Sequence, residues 1–156
     1  EGTPRERFDL REVLGACVEA YRTTYPGARF AAALPAEAVA VMGNPDLIAQ
    51  MLDKLVANAG DFALPGTAID VGLDVAGRRA ALRIANTGPL LPEGRPARLF
   101  DSMVSVRTAG SVSPHLGLGL YIVRLIAEFH QGTAGIANRD DGAGIVVTIQ
   151  LPPAGL

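Results

Sequence analysis

Cysteine and histidine are scarce in this sequence, whose 156 residues include one cysteine, Cys17, and two histidines. A single thiol cannot form an internal disulfide, and one thiol with two imidazoles cannot assemble a Cys/His zinc cluster. The lack of a disulfide framework is typical of proteins in a reducing compartment. We therefore expect a cytoplasmic protein without a structural zinc ion.

The sequence also has no excess of basic over acidic residues. Fourteen Lys and Arg residues stand against 16 Asp and Glu residues, for a formal net charge of -2. A nucleic-acid-binding surface normally carries a basic excess, so we predict no nucleic-acid partner. No apolar run approaches the roughly 20 residues that cross a bilayer, and no secretory leader opens the chain. Because the chain begins at Glu1 rather than at a methionine, we expect a piece of a longer protein.

The residues that are present are typical of a compact domain. Apolar residues make up 49% of the chain and charged residues 19%, which is the balance of a globular protein rather than a disordered one. The length suits one hydrophobic core better than two. We therefore predict a single domain over residues 1–156.

Hydrophobic periodicity predicts three helices and about seven short strands. Asp9 caps the first helix, Asn44 followed by Pro45 begins the second, and the third spans about residues 118–129. Strands are predicted at residues 29–33, 38–42, 133–138 and 145–151, with a hairpin over residues 69–84 and a long loop over residues 87–115. This order favours an α+β fold, a two-layer α/β sandwich in which a mixed, mostly antiparallel sheet packs against three helices.

Four polar residues recur at helical spacing along the second helix, and they form one face beside its apolar stripe. They are Gln50, Lys54, Asn58 and Asp61. Such a face either lines a pocket or is a solvated helix surface. The spacing alone leaves both interpretations open.

Two further segments have glycine at a predicted boundary, one where a loop becomes a helix and one where a strand ends. In residues 115–120 (HLGLGL), Gly117 and Gly119 stand where the predicted loop becomes a helix, so backbone N–H groups and the positive helix end can face a phosphate. A tight structural turn would explain these glycines equally well. In Asn86-Thr87-Gly88 a strand ends in a polar residue, which indicates either a base-recognition corner or a simple strand exit.

Taken in order, these segments resemble the histidine-kinase branch of the Bergerat-fold ATPases. Residues 50–62 (QMLDKLVANAGDF) resemble the N box, and Asn86-Thr87-Gly88 resembles the first glycine box. Residues 99–103 (LFDSM) resemble the F box, and residues 117–120 (GLGL) the second glycine box. The longer segment 99–107 also resembles the sensor kinases of dedicated sortase systems in proteobacteria.

The resemblance implies a site for ATP and Mg2+. Asn58 is the implied Mg2+ ligand, since an amide oxygen suits this hard cation. Asn58 and Arg107 are the implied catalytic residues, with Arg107 beside the terminal phosphate, although Arg107 is alternatively a solvated loop residue. The implied nucleotide-binding residues are Lys54, Asn58, Asp61, Phe62, Asn86, Gly88, Arg107, Leu116, Gly117, Leu118 and Gly119.

The sequence departs from the family pattern at several positions. Asn86 stands where the family usually has an aspartate that accepts a hydrogen bond from the adenine amino group, and its amide adds a donor. Leu90 replaces a glycine, Lys54 a frequent asparagine and Asp61 a basic residue. Because an anion near a triphosphate lowers affinity, we expect weak ATP binding. Phe62 is either an aromatic beside the nucleotide or a core residue.

The implied function is that of an ATP-dependent protein-histidine kinase, namely the catalytic domain of a two-component sensor. It would give the γ-phosphate to a histidine on a separate dimerisation domain, which is missing here, and the phosphate would pass to a response regulator. The parent would be an inner-membrane sensor. One alternative is a degenerate Bergerat module that binds a partner protein without phosphotransfer. Another is a topoisomerase-type ATPase, which is disfavoured because no glutamate base occurs between Asn44 and Phe62.

Overall fold

The computed structural model of the protein describes residues 4–90 and 114–154. These residues form seven strands and three helices, and none of these helices is long and apolar enough to cross a bilayer. In chain order the elements are β1 (Glu6–Asp9), α1 (Leu10–Thr24), β2 (Arg29–Ala33), β3 (Ala40–Gly43), α2 (Pro45–Phe62), β4 (Ala68–Ala76), β5 (Arg79–Thr87), α3 (Pro114–Phe129), β6 (Thr133–Asn138) and β7 (Gly144–Leu151).

Five of the strands form one mixed sheet in the order β2-β4-β5-β7-β6. The β2–β4 pair is parallel and the other three pairs are antiparallel, while β1 and β3 form a separate antiparallel pair. Side chains alternate along each strand, so Leu82 and Ile84 of β5 join the core beneath the helices while Arg83 lies on the open face. The predicted two-layer α/β sandwich with a mostly antiparallel sheet is confirmed.

Helix α2 forms for the local reasons that the sequence indicates. The Asn44 side-chain oxygen accepts a hydrogen bond from the backbone N–H of Leu47 at 3.0 Å, and Pro45 occupies the first helical position. The predicted apolar stripe is turned inward, and its fully buried members are Ile48, Met51, Leu52, Leu55, Val56 and Ala59. Because α2 packs against β4, β5, α1 and α3, it lies at the centre of the fold.

The main differences from the prediction concern the starts of α3 and β3 and the additional strand β1. Helix α3 begins at Pro114 rather than near Leu118, because proline suits the first helical position and glycine inside a helix costs only about 1 kcal/mol relative to alanine. Strand β3 begins at Ala40 rather than at residue 38. Strand β1 is too short and too charged to show a periodic pattern, and it pairs with β3. Most of the predicted loop, residues 91–113, lies outside the described residues.

His130 joins the end of α3 to the start of α2. Its ring is buried; Nδ1 donates to the Ile126 carbonyl at 2.8 Å, and Nε2 accepts from the Asn44 backbone N–H at 3.0 Å. Burial lowers the pKa of His130 and the charge of Arg5 lowers it further, against the raising effect of the two hydrogen bonds. The neutral imidazole is therefore the form that the fold selects.

We predict that stability declines as the solution becomes mildly acidic. The folded chain takes up the His130 proton less readily than the unfolded chain, in which the pKa is near 6.5. As pH falls through that value, protonation favours the unfolded chain, so the free energy of unfolding drops by at most about 1.4 kcal/mol per pH unit. Urea denaturation between about pH 5.5 and pH 7.5 measures this slope.

The two histidines of the chain provide a matched pair of variants for this measurement. His130→Gln should abolish the slope in that range, and His115→Gln should keep it. An unchanged slope in His130→Gln would show that another group carries the pH dependence.

Candidate nucleotide-binding site

Helix α2 buries one member of its polar face and exposes the others. Asn58 is only 9% exposed, whereas Gln50, Lys54 and Asp61 are exposed. The Oδ1 atom of Asn58 is buried and has no hydrogen-bond partner among the described residues. Leaving such an acceptor unpaired costs about 1–3 kcal/mol, so Asn58 does not belong to an ordinary solvated helix surface.

Strand β5 ends in a second buried amide. Leu82, Ile84 and Asn86 alternate along the strand on the side that faces the helices, and Asn86 is 3% exposed. Its Nδ2 atom is buried and finds no hydrogen-bond partner in the described part of the chain. The last side chain of this buried row is therefore the Asn86 amide, whose Nδ2 donor forms no hydrogen bond with the described residues.

The end of β5 lies directly against the end of α2. The Leu64 backbone N–H donates to the Thr87 carbonyl at 2.8 Å. A Cβ atom at Gly88 would lie 2.1 Å from the Phe62 carbonyl oxygen, so this approach requires glycine. Phe62 itself is half-buried and packs against the hydrophobic core, which favours the core interpretation of its ring. Gly88 therefore has a packing role whether or not it contacts a nucleotide.

Gly144 packs against the backbone of Asn86 from the other side, and no sequence pattern marks it as a site residue. A Cβ atom at Gly144 would lie 1.9 Å from the Asn86 carbonyl oxygen. Gly144 stands opposite Thr87 in the β5–β7 pairing, so its importance depends on a register between distant segments. The Asp140-Asp141-Gly142 turn just before β7 was the only local indication that this pairing begins here.

Helix α3 brings the second glycine box to the N-box helix. A Cβ atom at Gly119 would lie 3.8 Å from the Lys54 Cβ atom, so the two helices are in contact at this point. Leu116, Gly117 and Leu118 lie in the preceding turn of α3. A helix that begins at Pro114 leaves the N–H groups of residues 115 and 116 without intrahelical acceptors. The donor role of Gly117, Leu118 and Gly119 stays a prediction.

Some predicted site residues lie outside the described residues. They include Arg107 and the F-box segment 99–103. Their predicted roles therefore remain predictions. The residues that the structure does bring near one another are Asn86, Gly88 and Phe62 at the junction of β5 with α2, and Lys54 and Gly119 at the contact of α2 with α3.

Other parts of the described surface offer no better site. Two shallow grooves lie on the open face of the sheet, around Gly72, Arg83, Ala85 and Val146, and no predicted site residue lines them. Within residues 4–90 and 114–154 there is no group of three or more His, Cys, Asp and Glu side chains that could hold a metal ion. The boundary between α2, α3 and the end of β5 is therefore the candidate site.

Comparison with known proteins identifies the family of the chain. Residues 43–155, which include α2, β5 and α3, match the family of histidine kinase-, DNA gyrase B- and HSP90-like ATPases. The chain belongs to this ATPase family. The match contains every described element that contributes to the candidate site.

Relatives of this ATPase domain include sensor proteins. Sensor protein CutS of Streptomyces coelicolor is 31% identical over 150 residues, which are 95% of this chain and 36% of CutS. The solved structure of the mycobacterial sensor histidine kinase MprB matches with a TM-score of 0.80 at 22% identity, over 98% of this chain and 100% of that one. Full-length ShkA in complex with AMPPNP matches with a TM-score of 0.79 at 23% identity, over 100% of this chain and 32% of ShkA. The ATPase domain thus spans about a third of CutS.

The contact between Gly88 and Phe62 can be tested by adding one methyl group. We predict that Gly88→Ala lowers the free energy of unfolding by about 1–3 kcal/mol, because the Cβ atom forces the ends of β5 and α2 apart. Urea denaturation measures the change. Gly135→Ala is the matched control, since a Cβ atom there meets nothing within 4 Å, and it should be neutral or slightly stabilising. Equal effects of the two substitutions would contradict the proposed contact.

Proposed function

We propose that residues 1–156 form a single Mg-ATP-binding catalytic domain of a two-component sensor histidine kinase. In this proposal the domain binds ATP between α2 and α3 and gives the γ-phosphate to a histidine on a separate dimerisation domain. The observation that carries it is a pair of buried amide side chains, Asn58 on α2 and Asn86 on β5, in which the Asn58 Oδ1 atom and the Asn86 Nδ2 atom have no hydrogen-bond partner among the described residues. A fold gains nothing from two unsatisfied polar groups, so a ligand that pairs with both explains them best.

The residues present fit a magnesium ion held jointly by protein and nucleotide. Mg2+ is usually bound through one or two oxygen ligands of the protein together with phosphate oxygens and water. The Asn58 Oδ1 atom is such a ligand, and no other polar group of the described residues competes for it. The ion supplies positive charge against the phosphates when it is bound. Lys54, one helical turn before Asn58 and in contact with Gly119, adds a further cation on the α3 side.

The phosphoacceptor must come from outside this chain. His130 is buried, and both of its ring nitrogens are engaged, with Ile126 and with Asn44. It has no free nitrogen to attack a phosphate. His115 stands within the second glycine box rather than in a His-Glu or His-Asp context. A dimerisation domain elsewhere in the parent is therefore the proposed acceptor, and a response regulator is the proposed next partner.

The relatives support the same proposal. CutS and MprB are sensor proteins by name, and ShkA was solved with AMPPNP, an ATP analogue. We extend both features to this chain: a place in a sensor kinase, and an adenine nucleotide as ligand. The parent is proposed to be an inner-membrane sensor that holds this domain in the cytoplasm. Its assignment to a dedicated sortase system rests on residues 99–107 and is part of the proposal.

The role of Asn58 can be separated from any structural role. Asn58→Ala should weaken Mg-ATP binding at least about tenfold, since it removes the metal ligand, while it leaves thermal stability nearly unchanged, because the deleted acceptor has no partner. Calorimetric titration measures the affinity. Repeating the titration in EDTA should abolish the difference between the native chain and the variant, because the amide acts through Mg2+.

Gln50→Ala is the matched control for this measurement, since it removes an exposed amide from the same helix. It should leave binding unchanged. If the native chain binds no nucleotide at all, the degenerate partner-binding module becomes the better interpretation. If Asn58→Ala binds Mg-ATP as tightly as the native chain, Asn58 is not the metal ligand.

Phosphotransfer requires the missing domain. We expect the chain alone, incubated with γ-labelled ATP, to acquire no acid-labile phosphohistidine. A longer form of the parent that includes an upstream His-Glu or His-Asp helix should become labelled, and Asn58→Ala in that form should abolish the label. Labelling of the isolated chain on His115 or His130 would contradict the separate-acceptor proposal.

A further inference from the structure

Asn86 presents an amide where the proposed nucleotide base would lie. It continues the buried row of Leu82 and Ile84 on the helix-facing side of β5 and is 3% exposed. Its Nδ2 donor has no partner among the described residues. A buried donor without a partner is a site for an acceptor atom that the protein does not supply.

The backbone around Asn86 is held by close contacts, and the Nδ2 end of its amide forms no hydrogen bond with the described residues. Gly144 packs on the Asn86 carbonyl, and Gly88 packs on Phe62, so the end of β5 cannot shift without a collision. The terminal torsion of an asparagine side chain is broad and roughly two-fold. Because Asn86 Nδ2 forms no hydrogen bond with the described residues, rotating the amide by a half turn breaks no hydrogen bond of Nδ2. A half turn of this torsion exchanges the nitrogen and the oxygen, and the amide thus has both a donor and an acceptor to offer a ligand edge.

A carboxamide of this kind matches two purine edges. Adenine carries an amino donor at its 6-position, and guanine carries an oxygen acceptor there. The Asn86 oxygen accepts from the former, and after the half turn its nitrogen donates to the latter. A carboxylate only accepts, so an aspartate would leave a 6-oxo group facing an unpaired negative oxygen.

We propose that Asn86 makes the site tolerant of the purine 6-substituent, so that it accepts 6-oxopurine triphosphates as well as ATP. This inference rests on the proposed function, since it concerns the base of the same bound nucleotide. It assigns to Asn86 the role of a specificity-determining residue. The Asn86→Asp substitution should then restore discrimination rather than destroy binding.

Competitive titration of the native chain with Mg-ATP and Mg-ITP tests the proposal, because inosine carries the 6-oxo group but lacks the 2-amino group of guanine. We expect the two dissociation constants of the native chain to lie within about tenfold of each other. Asn86→Asp should raise the preference for ATP by at least about tenfold. Gln150→Glu is the matched control, since it makes the same change from amide to carboxylate at an exposed position on β7; the ratio should stay native.

The possible failures are distinguishable. Native binding of ATP with more than about hundredfold rejection of ITP would overturn the inference and leave the proposed function intact. Binding of neither nucleotide would overturn the proposed function as well. Should Asn86→Asp fail to fold, Asn86→Ala removes the unpartnered Nδ2 donor and is expected to fold; it should weaken ATP and ITP binding by similar factors. A loss confined to ATP would overturn the inference.

Discussion

The junction between the end of β5 and the end of α2 is the constraint on which the site depends. The hydrogen bond from Leu64 to Thr87 and the bare backbone of Gly88 against the Phe62 carbonyl hold the two elements together. Asn86 precedes this junction on the strand, and Asn58 lies one helical turn before Phe62 on the helix. The relative position of the two buried amides is therefore set by backbone contacts, which side-chain motion does not alter.

The two helices of the site are tied to each other at a second place. Asn44 at the start of α2 donates its backbone N–H to His130 at the end of α3, and Gly119 near the start of α3 meets Lys54 near the middle of α2. The side-chain Nδ2 atom of Asn44 also donates to the Pro4 carbonyl. The guanidinium carbon of Arg5 lies 4.0 Å from the centre of the Phe129 ring. Residues 4 and 5 thus contact the start of α2 and the end of α3.

Much of the fold could be predicted because its determinants are local. The cap at Asn44, Pro45 and the apolar stripe of α2 lie within one stretch of chain, as do the alternating residues of the β4–β5 hairpin. Features that depend on distant contacts could not be predicted. Periodicity treats Lys54 and Asn58 as equivalent members of one polar face, yet only Asn58 is buried.

Dependence on distant contacts also explains why sequence patterns misplaced one glycine region and missed another. The glycines at 117 and 119 suggested a loop end, but α3 already begins at Pro114 because contact with α2 offsets their poor helix propensity. Gly144 matters only through its register with Thr87 and Asn86 on another strand. The family resemblance selected Asn58 and Asn86 as candidates, and the fold adds that both are buried, each with a polar atom that has no partner among the described residues.

The amide at position 86 also affects the stability of the fold before a nucleotide binds. An unpaired buried amide costs about 1–3 kcal/mol, and an unpaired buried carboxylate costs much more unless it takes up a proton. No ion pair involving position 86 is present among the described residues, so an aspartate here would be costlier than asparagine in the fold without nucleotide. Asparagine lets the strand end stay buried beside Phe62 without ligand. The amide therefore lowers the cost of burying a polar side chain at the end of β5 relative to a carboxylate, and in the proposed site the same amide offers both a donor and an acceptor to the base.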